Sequence, residues 1–293
     1  MYHRILSQPD ILESGAISLE KFEWQMQLLA EYFNVLPLDK ALSGLQEGTI
    51  PSRAVCITFD DGYADNYTNA LPVLTRYQLP ATFFMTSGFL AGGLMWNDRI
   101  RESLRIISAD ELDLTQFGLA CYGIGTPLQK AICSQAITSK VKYFVDQEKE
   151  DCIRHIESLA GPLPNNIMMS AAQLKLLHAS GMEIGGHTVT HPILSKLGDA
   201  EVKKEIADNK ATLEALLGTT LRFFAYPNGK VGHDYLLKHI EIIKECGYQA
   251  ALSSRWAVAN KNSDIWQLPR CMPSESTPAK FMLRMAYMYN KAD

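Results

Sequence analysis

The chain has 293 residues, 47% of them hydrophobic and 20% charged, with a formal net charge of -4. That length and apolar content allow a full core and suit one α/β barrel, so a single domain over residues 1–293 is expected. So small a charge excess leaves no electrostatic footprint for nucleic acid or an anionic membrane surface, and neither is expected as a partner.

Residues 18–33 place Phe22, Met26, Leu29 and Phe33 at helical spacing behind a Ser18 cap. Residues 55–59 form a short β-branched run that ends in Asp60-Asp61-Gly62; a helix through Tyr77 and a strand over 81–85 follow. From about 90 to 163 the pattern loosens, with Gly92-Gly93 and one predicted helix around 139–159, so this stretch reads as an insertion. Trp96-Asn97-Asp98-Arg99 reads as a loop within it. The rhythm then returns. A helix runs from Ser170 to near Gly181, and a strand over 182–184 enters Gly185-Gly186-His187. A helix over 199–217 carries the stripe Val202, Ile206, Leu213, Leu216 and Leu217. A strand over 221–226 ends in Pro227-Asn228-Gly229, before a helix over 234–246 and a strand over 248–252. This alternation predicts a parallel sheet with helices outside, a closed or nearly closed β/α barrel.

The six cysteines, Cys56, Cys121, Cys133, Cys152, Cys246 and Cys271, show no CxxC spacing and are expected as reduced, structural thiols. No basic segment leading into an apolar one opens the chain, and no stretch approaches the roughly 18 to 20 apolar residues of a membrane helix. As written, the protein is expected to be soluble and cytoplasmic. Tyr2-His3-Arg4-Ile5-Leu6 reads as the tail of a strand, so an export signal would have to lie upstream of Met1.

The chemistry-bearing residues follow predicted strands: Asp60 and Asp61, His187 and His191, and Pro227-Asn228-Gly229. Strand ends of a β/α barrel converge on one face, so these residues are expected to meet. His187 and His191 are four apart and reach one ion if the segment turns helically, and an aspartate completes a facial set with open positions. Such a site suits zinc, and also iron, cobalt, nickel or manganese. The adjacent carboxylate is then available as a base. Alone, Asp60-Asp61-Gly62 reads equally as a polar turn, and the two histidines as surface residues opening a helix. His155, His178, His233 and His239 are expected in solvent.

Thr58-Phe59-Asp60-Asp61-Gly62, His187-Thr188-Val189-Thr190-His191 and Phe224-Ala225-Tyr226-Pro227-Asn228-Gly229 resemble three signatures of the polysaccharide deacetylase (NodB-like) family. The resemblance implies a distorted (β/α) barrel, a zinc-type divalent ion and hydrolysis of acetyl from an N-acetylated or O-acetylated sugar, the N-acetyl amide being the leading reading. By the same resemblance Asp60 is the general base, and Asp61, His187 and His191 hold the metal. Tyr226, Pro227 and Asn228 would form the substrate and oxyanion contacts, with the Asn228 N–H as donor.

Two positions depart from the common pattern. Many members have an arginine at Ala225, which Arg222 does not replace because it faces the other side of the strand, and many have a late histidine, whereas none follows His239 here. The exopolysaccharide-type branch is more similar, with a Tyr-His near the start and a Leu-Pro-Arg late on. That likeness implies His3 as general acid or substrate contact and Arg270 as the group that orients Asp60 or the substrate. An O-acetyl esterase, a non-sugar amidase and a carbohydrate-binding protein on a decayed enzyme fold are the competing readings.

Overall fold

Alternation of strands and helices produces a parallel sheet whose strand order follows the chain. A computed structural model describes residues 1–289, arranged in two units. The first holds Met1–Gln8, Ile17–Ala91 and the chain from Met168 onward; the second holds Pro9–Ala16 and Gly92–Ile167. The helices are α1 (Leu19–Tyr32), α2 (Leu38–Glu47), α3 (Leu71–Arg76), α4 (Trp96–Ile106), α5 (Pro127–Val141), α6 (Asp146–Ala160), α7 (Ala171–Ala179), α8 (Asp199–Leu217), α9 (His239–Glu245) and α10 (Pro278–Tyr289).

In the first unit β1 (Ile57–Phe59), β2 (Ala81–Met85), β3 (Glu183–Gly186), β4 (Phe223–Ala225) and β5 (Ala250–Leu252) stand in the order β5-β4-β3-β2-β1, with every neighbouring pair parallel. Parallel neighbours need long crossovers, which α3, α7, α8 and α9 supply. Both sheet edges are extended. Tyr2 bridges Phe59 outside β1, Leu268 bridges Leu252 outside β5, and the Met1 amino group donates to the Cys271 carbonyl at 2.8 Å. The curled sheet is thus the distorted (β/α) barrel that the alternation predicts.

Side chains of a strand alternate between faces, and the two faces build separate cores. Ile57, Phe59, Phe83, Met85, Ile184 and Phe224 pack with Phe22 and Met26 of α1, Leu174 of α7 and Ile206 and Leu213 of α8. The Phe59 and Phe83 rings stack at 4.5 Å. On the inner face Phe84, Phe223, Ala225, Ala250 and Leu252 pack with Leu38 and Leu42 of α2 and with Leu268. Thr58 has the opposite parity to Phe59, so β1 delivers Asp60 to that inner face.

The second unit has its own core of Ile100, Leu104, Ile137, Ile153 and Ile156 on α4, α5 and α6, with an antiparallel pair, Glu111–Asp113 against Cys121–Gly123. Arg99 donates to Glu150 and Glu157, and residues 9–16 are tied in by Glu13–Arg101 at 3.0 Å and Asp10–Arg105 at 2.7 Å. Trp96-Asn97-Asp98-Arg99 opens α4 and is not a loop. The one helix expected over 139–159 is two, because the Tyr143 and Phe144 N–H groups bond three residues back, to Lys140 and Val141, and close α5.

Three further differences lie in the first unit. The run 55–59 divides: Ala54–Val55 pairs with Asn34–Val35, and only Ile57–Phe59 joins the main sheet. The helix after β4 starts at His239, five residues later than expected. His239 is buried and not in solvent, its Nδ1 accepting from the Leu236 N–H at 3.3 Å. All six cysteines are free. Among the described residues no helix is long and apolar enough to cross a membrane.

Candidate active site

Most of the expected site residues follow strands, at the end of the sheet where the C-terminal ends converge. Asp60 and Asp61 follow β1, His187 follows β3, Asn228 follows β4, and Arg270 follows the Leu268 bridge beside β5. The donor atoms of Asp61, His187 and His191 lie within 4.8 Å of one another. His187 Nε2 and His191 Nε2 stand 3.3 and 3.4 Å from Asp61 Oδ1. Two donors on a tetrahedral ion with bonds of about 2.1 Å stand roughly 3.4 Å apart, so the spacing fits a divalent ion.

Hydrogen bonding supports that fit. Asp61 Oδ1 is buried without a hydrogen-bond partner, as an atom reserved for an ion would be. His187 Nδ1 lies 2.7 Å from the Ala225 carbonyl oxygen. A carbonyl can only accept, so Nδ1 carries a proton, which leaves Nε2, turned toward Asp61, as the nitrogen that could hold a metal. Burial drives the His191 imidazole down to about 4, outweighing the Asp61 carboxylate and keeping the ring in the neutral form a metal needs. Burial lowers His187 too, but Asp61 and Asp60 together raise it above its ordinary value. Burial would raise Asp61, yet the surrounding imidazoles hold its carboxyl well below the usual range.

Asp60 is only 3% exposed and is held by Arg270. The guanidinium donates from Nη1 to Oδ1 and from Nη2 to Oδ2, both at 2.7 Å, while Nε donates to the Ser253 carbonyl at 3.0 Å. Burial would raise the Asp60 carboxyl, but Arg270 and His187 pull it below its ordinary value. Arg270 crosses the inner face 5.6 Å over the Phe84 ring, on the side to which β4 turns Ala225. It thus meets Asp60 from the edge beside β5, and Arg222 takes no part, pairing instead with Asp39 and Glu183 at the opposite end of the strands.

His3 is anchored through its carbonyl, which accepts from Asn66 Nδ2 at 2.6 Å. Its imidazole is close enough to lower the carboxyls of both Asp60 and Asp61. The Pro227–Asn228 peptide is fixed by the Gly229 N–H, which donates to the Pro227 carbonyl at 2.6 Å. The Asn228 N–H has no partner among the described residues, and Asn228 has a φ of 58°. Tyr226 is not brought to the site. Its ring stacks on Tyr235 at 3.7 Å, its hydroxyl donates to the Trp266 carbonyl, and its N–H donates to Leu252.

Left-handed backbone gathers around these residues: Asp61 has a φ of 76°, Thr188 66° and His191 59°. Such conformations cost non-glycine residues about 1 kcal/mol or more and persist only where neighbours enforce them. At β1 the enforcement is local. Gly62 takes a φ of 89° and closes the turn from its N–H to the Asp60 carbonyl, while the Thr86 hydroxyl donates to the Asp61 carbonyl at 2.5 Å. The segment from His187 to His191 is a bend and not the expected helical turn, and the Thr188 Oγ1 accepts from the His191 N–H.

Sequence reasoning missed what holds this bend. Asn209 of α8 is fully buried; its Nδ2 donates to the Met85 and Thr188 carbonyls and its Oδ1 accepts from the His187 N–H. The only sequence signal was a polar residue inside the apolar stripe of α8. Asn209 fits because Gly186 has no Cβ, which would stand 2.8 Å from its Oδ1 and collide with the Tyr248 hydroxyl. Gly186→Ala should therefore lose roughly 1 to 3 kcal/mol of stability, as overpacked sites do, and urea unfolding midpoints would measure it.

The sequence profile of the polysaccharide deacetylase family matches residues 47–109 and 143–251. The poly-β-1,6-N-acetyl-D-glucosamine N-deacetylase of Staphylococcus epidermidis is 30% identical over 110 residues, which cover 37% of this chain and 36% of that protein. Two solved structures are similar over nearly the whole chain. IcaB from Ammonifex degensii has a TM-score of 0.62 at 22% identity, covering 98% of this chain and 94% of its own. The Streptococcus pyogenes deacetylase PplD in complex with acetate has a TM-score of 0.63 at 20% identity, covering 97% and 95%. These likenesses bear out the exopolysaccharide-type resemblance read from Tyr2-His3 and Leu268-Pro269-Arg270. Because the profile spans more than half of the sequence and takes in Asp60, Asp61, His187, His191 and Asn228, the chain belongs to the polysaccharide deacetylase family.

Proposed function

We propose that this protein is a metal-dependent N-deacetylase that hydrolyses the acetamide of an N-acetylated hexosamine in a polysaccharide, an oligosaccharide or a lipid-linked precursor. The observation that carries the reading is a buried carboxylate clamped by an arginine, Asp60 with Arg270, beside the three converging donors of Asp61, His187 and His191. Those three residues would hold a divalent ion, zinc or one of iron, cobalt, nickel and manganese, which would supply Lewis acidity by lowering the pKa of water from 15.7 toward about 7 and polarising the acetyl carbonyl.

The protein's own groups account for the rest of the hydrolysis. Arg270 fixes both oxygens of Asp60 and leaves each a lone pair, so the carboxylate is oriented to take the proton of the attacking water. The Asn228 N–H donates to the carbonyl oxygen as negative charge develops there, in the manner of an oxyanion hole. As the C–N bond breaks, acetate leaves with the water oxygen, and His3 delivers a proton to the sugar amine.

Acetate release from β-1,6-linked N-acetylglucosamine oligomers, with acetyl-xylan fragments and simple amides in parallel, tests the reading. Acetate should appear from the amide sugars, disappear with chelator and return when zinc or cobalt is added back. Asp60→Asn should lower turnover roughly 10²- to 10⁴-fold, the usual worth of a general base. Release from the esters or simple amides alone would assign another bond, and chelator-insensitive release would remove the metal from the mechanism.

A further inference from the structure

Inside the turn that carries the two histidines, the Val189 and Thr190 N–H groups converge on one atom. Both donate to Glu205 Oε2 of α8, at 2.8 and 2.9 Å, and the Thr190 hydroxyl donates to Glu205 Oε1 at 2.9 Å. The two peptide donors lie between the left-handed residues Thr188 and His191, so the carboxylate closes a concavity of backbone N–H groups. Asn209 stands one helical turn along the same face and holds the start of the bend through the His187 N–H and the Thr188 carbonyl. The remaining hydrogen bonds of the turn come from the Thr188 hydroxyl, from the Met85 and Ala225 carbonyls, which accept from His187, and from the Ser87 and Gly88 N–H groups, which donate to the Thr188 and Val189 carbonyls; none of these satisfies the Val189 or Thr190 N–H.

The geometry points to Glu205 as a positioning residue for the histidine pair: its carboxylate locks the 188–191 bend and thereby sets where His191 Nε2 lies relative to His187 Nε2 and Asp61. This inference rests on the reading of Asp61, His187 and His191 as metal ligands. Among the described residues Glu205 makes no hydrogen bond or ion pair with any of the three side chains, and it acts through the backbone that carries His191. Without it the Val189 and Thr190 N–H groups lose their common acceptor, the left-handed residues relax, and the donor spacing of 3.3 to 3.4 Å opens.

Zinc affinity, measured by chelator competition on the full chain, separates positioning from general stability. Glu205→Ala should bind zinc about 10- to 100-fold more weakly, the usual effect of losing a contact that orients a ligand. Glu205→Gln keeps an oxygen that can accept from both N–H groups and should restore affinity to within about threefold of wild type. Leu213→Ala removes a buried leucine two turns further along α8 and serves as the stability control: its melting temperature should fall at least as far as that of Glu205→Ala, with zinc affinity unchanged. The inference is overturned if Glu205→Ala binds zinc as tightly as wild type, or if Leu213→Ala weakens zinc to the same extent. A wild-type protein that takes up no zinc or cobalt would instead sink the proposed function, and the positioning role with it.

Discussion

Replacing Arg270 by methionine should cost the protein both stability and turnover, and adding Asp60→Asn should restore the first without the second. The side chains of this pair are only 6% and 4% exposed, and its two hydrogen bonds are parallel and charge-assisted. Arg270→Met leaves a carboxylate buried without its cation, which typically costs 3 to 5 kcal/mol, or a melting temperature lower by roughly 6 to 20 °C in a chain of this size. Turnover should fall on the order of 10²- to 10⁴-fold, because an unclamped Asp60 no longer faces the water in one orientation. Asp60→Asn/Arg270→Met removes the orphaned charge, so much of the lost melting temperature should return while turnover stays at the level of Asp60→Asn. Arg270→Lys should fall between, because a point charge cannot reproduce the two-pronged fork. Thermal unfolding and steady-state kinetics on the same preparations would measure both. Turnover that recovers in the double variant would take Asp60 out of the base role.

The same pair shows why parts of this site were legible in the sequence and parts were not. Asp60-Asp61-Gly62 and the two histidines are contiguous strings at the ends of strands that periodicity identifies, as with Ala81–Met85 and the helix Asp199–Leu217, found at its expected bounds. Arg270 lies 210 residues from Asp60, and they meet only because Tyr2 and Leu268 extend the two edges of the sheet until they join. That closure is tertiary and leaves no local pattern. The histidine spacing of four suggested a helical turn, but Glu205 and Asn209, some 15 to 22 residues later, impose a bend. Tyr226 misled for a different reason. The third signature is contiguous, yet alternation along β4 sends its ring to the helical layer, where it packs in the core with Phe224 and Tyr235. In the second unit α4 was missed because Gly92-Gly93 and a charged first turn read as loop. The break between α5 and α6 has neither Gly nor Pro to mark it.

Asp61→Asn should abolish the thermal stabilisation that zinc gives the wild-type protein. A ligand that binds only the folded state raises stability by about 4.1 kcal/mol at a thousand times its dissociation constant, or roughly 8 to 16 °C in a chain of this size. Comparing each protein with and without chelator makes the test internal, so any change that the substitution itself makes in the metal-free fold cancels. Asparagine is the better replacement because Asp61 has a φ of 76°, which asparagine tolerates and alanine does not. A neutral amide in place of the carboxylate between His187 and His191 loses the charge that holds a divalent ion, so affinity should fall by more than the 10- to 100-fold of an outer contact. Acetate release should drop to background even though Asp60 and Arg270 are intact. A zinc-induced shift as large in Asp61→Asn as in wild type would move the ion to another set of donors, and the 3.3 and 3.4 Å approaches to Asp61 Oδ1 would then be plain packing.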